Sequence, residues 1–549
     1  MAKKLLLVFP PISTPTSAPL GIAMLKGYLD KEAIPDWEVE LFDLNLAIFH
    51  RLLVGLADQS IKLSAELAEK IDIQMVIRAA HLFSGSNPEM FYGNGPLYDH
   101  LGTVFGTFTN IFVTIFHQEC ADFEKTEELT PLLRLMCELI DARRPDAVGF
   151  SMIFSEQLPI GAALGRYQRE KHGRKVLMGG SCFVEGPENF LKWYPNATDA
   201  VITGDGELPL KRLLTTDFRT ALVPGVTYAR NGRIERTPPS YEKEIDQFGI
   251  PNFEGLHLNR YFSPEPVIPL LLSRGCYWRK CTFCVHYFSA GDTYRMHSLD
   301  RVIDMLRSFV EQGISNFSFV DEMIAPGHFV KLAQAIKEAK LDIAYYALSK
   351  PNKTFTPAVL KEMAESGCKY VLWGVESGNQ RVLNLMGKGT QKDEVAQVLR
   401  NAHEAGIANH VYIICGFPTE TSSEWIETLN FLNDNKEYIY ATHRGNFSLE
   451  DGSPISRDLA TFDITETWVI RNTPLGARLG YRCSKGMNME QAKANFNLSL
   501  PFLRQFNPHA RLLANYRDHA LLFYRRIGST MRPESRQFPD LTKIVDALS

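Results

Sequence analysis

Three cysteines, Cys276, Cys281 and Cys284, fall within nine residues in a chain of 549. They stand in Ser273-Arg-Gly-Cys276-Tyr-Trp-Arg-Lys-Cys281-Thr-Phe-Cys284, a Cys-x4-Cys-x2-Cys spacing. Three thiolates can hold three irons of a [4Fe–4S] cube and leave the fourth iron open, as a catalytic metal site requires. The same trio with His286 as fourth ligand would make a structural zinc site. Structural zinc staples small domains that lack a core, whereas this segment has a large one, which favours the cluster. The other six cysteines, Cys120, Cys137, Cys182, Cys368, Cys415 and Cys483, are scattered. They read as small buried hydrophobes in a reducing, cytoplasmic compartment, with no disulfide framework.

The elements around the trio form a strand–helix alternation. Strands are expected at Ile268 to Ser273, Asn316 to Val320, Ile343 to Leu348, Tyr370 to Val375, His410 to Cys415 and Tyr440 to Phe447. Helical patterns such as Leu299 to Gln312 and Phe329 to Lys340 separate them. Such rounds predict a partial (β/α)6 barrel with its site at the C-terminal strand ends, and the cysteines follow the first strand. Upstream, Leu5 to Phe9, Glu38 to Phe42, Ala147 to Phe150, Lys175 to Met178 and Ala200 to Thr203 read as strands. The runs Gly21 to Leu29 and Leu158 to Lys171 read as helices. This is the rhythm of a doubly wound parallel sheet, whose ligands bind at strand ends, where Gly179-Gly180 and Gly204-Asp-Gly206-Glu207 lie.

The predicted α/β fold therefore divides into four parts. Residues 1–210 make a Rossmann-like domain with a helical insertion at about 46–140, and 211–265 a connector with an Asn231-Gly232 hairpin turn. Residues 266–454 make the barrel and 455–549 a mostly helical C-terminal cap. Phe91, Tyr92, Tyr98, Phe502 and Tyr516, in the insertion and the cap, read as core aromatics. A net charge of -4 gives no reason to expect nucleic-acid binding. The apolar run at the N-terminus stops at Pro10-Pro11, and Phe105 to Phe116 is too short and polar to span a bilayer.

Residues from about 266 to 450 resemble the radical S-adenosylmethionine (SAM) superfamily, through several motifs in their expected order. Phe283 matches the aromatic position before the last cysteine, whose backbone meets the adenine. Asp321-Glu322 resembles the motif that binds the SAM amino group. Gly374-Val-Glu376-Ser377-Gly378 resembles the ribose motif, and Ile414-Cys-Gly416-Phe-Pro-Thr-Glu420 the adenine-side glycine motif. Glu420 could equally charge the start of the next helix. The family's usual spacing is Cys-x3-Cys-x2-Cys, so this loop is one residue longer. Residues 1–210 resemble the cobalamin-binding domain that precedes many such barrels, through Val8-Phe-Pro-Pro11, Pro19-Leu-Gly-Ile22, Val148-Gly-Phe-Ser151, Met178-Gly179-Gly180 and Gly204-Asp-Gly206-Glu207. The resemblance implies that Ser151 contacts the dimethylbenzimidazole tail and that the glycines admit the corrin. The Asp-x-His-x-x-Gly motif that gives cobalt a histidine is absent.

The resemblance implies an enzyme with a [4Fe–4S] cluster, SAM and cobalamin that makes a 5'-deoxyadenosyl radical and methylates an unactivated carbon. The alternatives are a radical SAM cyclase or oxidoreductase without methyl transfer and, in another class, a non-catalytic cobalamin-sensing protein, which would leave the cysteines unexplained. A methylthiotransferase would need a second cluster, for which the remaining cysteines are too dispersed. The expected partners are a small-molecule, lipid or peptide substrate and an electron donor such as flavodoxin or ferredoxin.

Overall fold

The computed structural model describes residues 2–61, 69–93, 95–184, 186–239, 241–291, 293–506, 516–528 and 538–548. Two compact units result. The first comprises residues 1–269 with 288–291 and 474–476, and the second 270–287, 292–473 and 477–549.

In the first unit, β1 (Lys3–Phe9), β2 (Trp37–Asp43), β3 (Ala147–Ser151), β4 (Lys175–Gly179) and β5 (Ala200–Ile202) pair in parallel. The hairpin β6 (Val226–Arg230) and β7 (Arg233–Arg236) adds two antiparallel strands, giving the order β2-β1-β3-β4-β5-β6-β7. Asn231 and Gly232, both at positive φ, make its tight turn. The predicted connector hairpin thus extends the sheet. β1 is buried from Leu5 to Phe9, as a strand covered by helices on both faces must be. The order turns back between β1 and β3, the switch point at which such sheets bind ligands.

The insertion is helical at Leu44–Ala57, Ile73–Phe83, Pro88–Gly93, Gly95–Thr126 and Pro131–Asp141; its residues 62–68 and 94 lie outside the described residues. Phe49, Phe83, Phe91, Tyr98, Phe105 and Phe108 are buried together, so Phe91 and Tyr98 are core residues. Among the described residues no helix is long and apolar enough to cross a membrane.

In the second unit a six-stranded sheet carries β8 (Ile268–Leu270), β11 (Asn316–Phe319), β12 (Ala344–Ser349), β13 (Cys368–Glu376), β14 (Ala408–Cys415) and β15 (Ile439–Asn446). β9 (Ser273–Arg274) and β10 (Arg295–Met296) make a short ladder beside it. β11 to β15 are parallel neighbours. The intervening helices start on side-chain caps at Ser298, Thr356, Asn379 and Thr421, which satisfy otherwise orphaned N–H groups. The last of these caps is Thr421 with Glu424, a capping box, and not Glu420.

Side chains alternate across each strand. Tyr345, Trp373 and Asn409 face the helices, while Tyr346, Tyr370 and His410 line the concave inner face, with rings 4.5–4.6 Å apart. The helix Arg517–Ile527 packs into this concavity. Tyr524 meets Tyr370 and hydrogen-bonds His410 at 2.9 Å. Arg525 Nη1 donates to Ser315 Oγ and Asn316 Oδ1, each at 2.7 Å, at the start of β11.

Beyond the barrel the chain is helical at Met489–Leu503, Arg517–Ile527 and Leu541–Leu548, with Phe502 and Tyr516 buried; residues 507–515 and 529–537 of the expected cap lie outside the described residues. It also forms an antiparallel sheet of β16 (Leu449–Glu450), β17 (Ile464–Thr473) and β18 (Gly476–Cys483), in the order β16-β18-β17, which the sequence reading does not contain. β17 is exposed along almost its whole length after Ile464, so no alternation of apolar and polar residues announces it.

Asn409, fully buried, ties three elements of the barrel together. It accepts from Trp373 Nε1 at 2.7 Å and donates to the carbonyls of Leu399 and Tyr438 at 2.7 and 2.8 Å. Asn409→Ala orphans a donor and two acceptors, and each unsatisfied group costs about 1–3 kcal/mol. The variant should lose about 3 kcal/mol or more of barrel stability, read as a lowered thermal midpoint. Unchanged unfolding would show that these bonds are replaced by water.

Candidate active site

The cysteine loop is docked onto the turn that follows the helix Gln380–Leu385. Trp278 Nε1 donates to Gly387 O at 2.8 Å. Thr282 N donates to Met386 O at 3.0 Å and its hydroxyl to Leu385 O at 3.1 Å. Thr282 O in turn accepts from Ile455 N at 2.9 Å. Gly387 and Gly389 both sit at positive φ. A Cβ on Gly387 would stand 2.2 Å from Lys280 O, and one on Gly389 2.2 Å from the Trp278 indole. Lys350 Nζ lies 3.0 Å from the Trp278 ring centroid and donates to Lys388 O at 3.1 Å. At its start the loop pairs with the chain beyond β11, through a Cys276–Met323 bridge.

All nine cysteines are free. Burial pushes the Cys281 thiol up, against the opposing pull of Lys388. Burial pushes Cys284 up to about 12, against the His286 N–H that hydrogen-bonds it. Thiols that resist ionisation, as Cys281 and Cys284 do, are inert until a cation compensates the thiolates. Among the described residues no three His, Cys, Asp or Glu side chains focus on one ion. A structural zinc takes its ligands at about 2.0–2.3 Å on one ion, whereas a cube takes each sulfur on a different iron.

The positions expected to contact SAM occupy the same strand ends, in unequal conditions. Asp321 is fully buried and already engaged: it accepts from Leu272 N at 3.0 Å and Ser273 Oγ at 2.5 Å. Burial raises its pKa to about 6 in spite of these donors. Its carboxylate therefore holds the entry to the cysteine loop, and Glu322, exposed beside it, is the open acid of the pair. Glu376 ends β13 beyond a bulge, in the left-handed region at φ 70°. Its Oε1 accepts from buried Lys388 Nζ at 2.8 Å. A Cβ on Gly374 would stand 2.5 Å from that Nζ, so this glycine makes room for the pair. Ser377 Oγ meets Thr428 Oγ1 at 3.1 Å and caps Asn379 N at 3.1 Å, which makes it a strut to the next helix. Gly416, at φ 79°, donates to Glu420 Oε2 at 2.5 Å and accepts from Tyr481 at 2.8 Å. Burial pushes Glu420 up to about 8. The Phe283 ring packs against Phe417 in the core beneath the loop.

The turn Gly387-Lys388-Gly389 and Lys350 escaped the sequence reading. Their one signal is a Gly-Lys-Gly triplet, which by itself reads as an ordinary turn.

At the strand ends of the first unit, Ser151 closes β3. A Cβ on Gly21 would come within 3.0 Å of its hydroxyl, so that glycine keeps the face clear. Ile153 and Phe154 just beyond are 41% and 46% exposed. Ser151 is itself buried, and exposed apolar side chains next to it at a switch point would suit a large, partly apolar ligand such as a corrin. The glycine turns answer first to the fold: a Cβ on Gly180, at φ 112°, would stand 2.1 Å from Met152 O, and Gly204 lies under the Tyr241 ring. Gly179 has Ile202 O at 3.3 Å and Gly206 has Leu25 at the same distance. Asp205 accepts from Glu242 N at 3.1 Å. Replacing Gly180 would thus disturb the sheet as well as any ligand.

Gly387→Ala should lift the cysteine loop from its platform. Reconstituted protein should then carry less than half the wild-type iron while its far-ultraviolet circular dichroism is retained. Full iron in the variant would show that the loop is held elsewhere.

Residues 270–432 match the model of the Radical SAM superfamily. An uncharacterized methyltransferase of Pyrococcus horikoshii is 32% identical over 264 residues, 47% of this chain and 57% of that protein. The chain spans about half the length of the curated relatives it matches. The radical SAM methyltransferase TsrM of Kitasatospora setae, solved with cobalamin and a [4Fe–4S] cluster, superposes with a TM-score of 0.61 at 16% identity, over 98% of this chain and 91% of that one. The cobalamin-dependent SAM radical enzyme OxsB, solved with aqua-cobalamin, gives 0.62 at 14% identity over 92% and 68%. At these identities the two structures speak for the fold. Residues 270–432 therefore carry a radical SAM domain, and the chain shares the fold of these two cobalamin-dependent enzymes.

Proposed function

We propose that this chain is a radical SAM enzyme that methylates carbon with the help of cobalamin. The observation that carries the reading is the rigid seating of Cys276, Cys281 and Cys284 at the barrel end that also presents Glu322 and Glu376. A [4Fe–4S] cluster bound there would supply the electron that cleaves the sulfonium C–S bond of SAM to a 5'-deoxyadenosyl radical. A corrinoid in the first unit, where Ser151 would meet its tail, would supply the methyl carrier.

The chain's own residues bind and orient. Glu322 accepts from the SAM amino group, a charge-assisted hydrogen bond. Glu376 keeps one oxygen on Lys388 and turns the other to the ribose hydroxyls. Its strained backbone survives because the buried ion pair over-determines it. Phe283 fixes the backbone that meets the adenine, and Gly416 leaves room on the adenine's other side. Lys388 and Lys350 place two ammonium groups beside the thiolates and offset part of their charge. A cytoplasmic location agrees with nine unpaired thiols, and the electron would come from a donor such as flavodoxin or ferredoxin.

Two measurements test this reading on anaerobically reconstituted chain. Glu322→Gln should weaken SAM binding roughly tenfold to a hundredfold at unchanged iron content, as expected for loss of a hydrogen bond to a charged group. Unchanged affinity would place the amino group elsewhere. Hydroxocobalamin should bind to the wild type. Absence of binding while 5'-deoxyadenosine still forms would favour a cyclase or oxidoreductase without methyl transfer.

A further inference from the structure

The inner face of the barrel carries a cation, Arg517, that makes no ion pair among the described residues. Gly374, Tyr412 and His443 face one another across β13, β14 and β15. The Tyr412 and His443 rings are 4.9 Å apart. Arg517, part-buried at the first turn of the helix that fills the concavity, reaches this row and donates from Nη2 to Tyr412 Oη at 2.6 Å. Its own carbonyl accepts from Tyr370 Oη at 2.8 Å, which fixes where the side chain starts. A guanidinium has five N–H donors in a planar fork. Among the described residues, Arg517 uses one of them and makes no ion pair.

The acids of this end of the barrel are otherwise employed. Glu376 is paired with Lys388 and Asp321 with Ser273 and Leu272. Glu420 takes the Gly416 N–H, and Asp518, which accepts from Tyr346 Oη at 3.4 Å, favours the Arg517 charge from the next position without forming an ion pair with it. His443 adds no negative charge. Burial, helped by Arg517 and Arg444, pushes its pKa down to about 3, which leaves the ring neutral. Taking part of a guanidinium out of water without a paired anion is unfavourable. A protein that only needed to fill the concavity would place an apolar side chain there. The Arg517 partner Tyr412 pairs in register with Gly374, two residues before Glu376, at the strand end of the proposed SAM site.

We propose that Arg517 receives an oxyanion of the substrate, a carboxylate or a phosphate, through the free edge of its guanidinium, with Tyr412 holding the other edge. The inference rests on the radical SAM reading of this barrel and adds to it the substrate class: a molecule that carries a carboxylate or phosphate group. A neutral hydrocarbon is thereby disfavoured. The planar fork matters as well as the charge, because two parallel N–H groups match the two oxygens of a carboxylate or phosphate.

The test uses the full chain, cluster-loaded and with SAM present, titrated calorimetrically with benzoate, phenyl phosphate and, as the neutral control, benzamide. Benzoate or phenyl phosphate should bind at least tenfold more tightly than benzamide, and the tighter of the two identifies the oxyanion. Arg517→Met should remove that preference. Arg517→Lys, the gentler change, should keep the charge but lower the benzoate affinity severalfold. Equal binding of benzoate and benzamide by the wild type, or a preference that survives in Arg517→Met, would overturn the proposal. Iron content and SAM affinity read on the same samples separate the two claims: their loss in the wild type, with the benzoate preference intact, counts against the cluster reading and leaves the anion site standing.

Discussion

A loop that presents three sulfurs to one inorganic group must be held by something other than itself. Nine residues have no core of their own, and ordering them costs about 1–2 kcal/mol of backbone entropy each. In this chain the Met386–Gly389 turn does the holding. It offers the carbonyls of Met386 and Gly387, and with Leu385 O they take the Thr282 and Trp278 donors. It has no side chain at the two places where Lys280 O and the Trp278 indole come close. The same turn supplies Lys388, which pairs with Glu376 over the bare backbone of Gly374. One short segment thereby fixes the sulfur loop and the acid proposed to hold the ribose. A defect there should be felt at both.

The parts of the fold governed by local periodicity are legible in the amino-acid order. Fully buried parallel strands are continuous apolar runs, and Leu5 to Phe9 and Ala147 to Phe150 stand out for that reason. The cysteine trio is legible because three thiols within nine residues call for an inorganic group to hold. What escapes depends on partners far away in the chain. Gly387 and Gly389 matter because Lys280 and Trp278 come to lie against them, about a hundred residues earlier. Asp321 belongs to an expected binding motif, yet folding spends its carboxylate on Leu272 and Ser273. Gly180 has the look of a ligand turn, and the Met152 backbone already explains it. β17 is invisible because Trp468, Val469 and Ile470 are 40–51% exposed and follow no alternation.

Electrostatics link the two ends of the argument. Burial disfavours every charged form, so each charge at this end of the barrel needs a reason to be there. Glu376 and Lys388 answer each other. Lys350, buried beneath the Trp278 ring and pushed down to about 8 by burial and by Lys388, has no carboxylate partner and lies near the thiols that a cluster would turn into anions. Arg517 makes no ion pair among the described residues, although Asp518 beside it favours its charge. These two cations are where negative charge from outside, a thiolate-bound cluster and an anionic substrate, is proposed to enter.

The central claim is that Cys276, Cys281 and Cys284 together hold one iron–sulfur cube with an open iron. Its most direct measurement is metal content combined with electron paramagnetic resonance of the dithionite-reduced, anaerobically reconstituted chain. The account predicts about four irons per chain, a spectrum that changes when SAM is added, and loss of the signal in each single Cys→Ala variant. Stoichiometric zinc without iron in the native protein, or a cluster signal that survives Cys281→Ala unaltered, would contradict it.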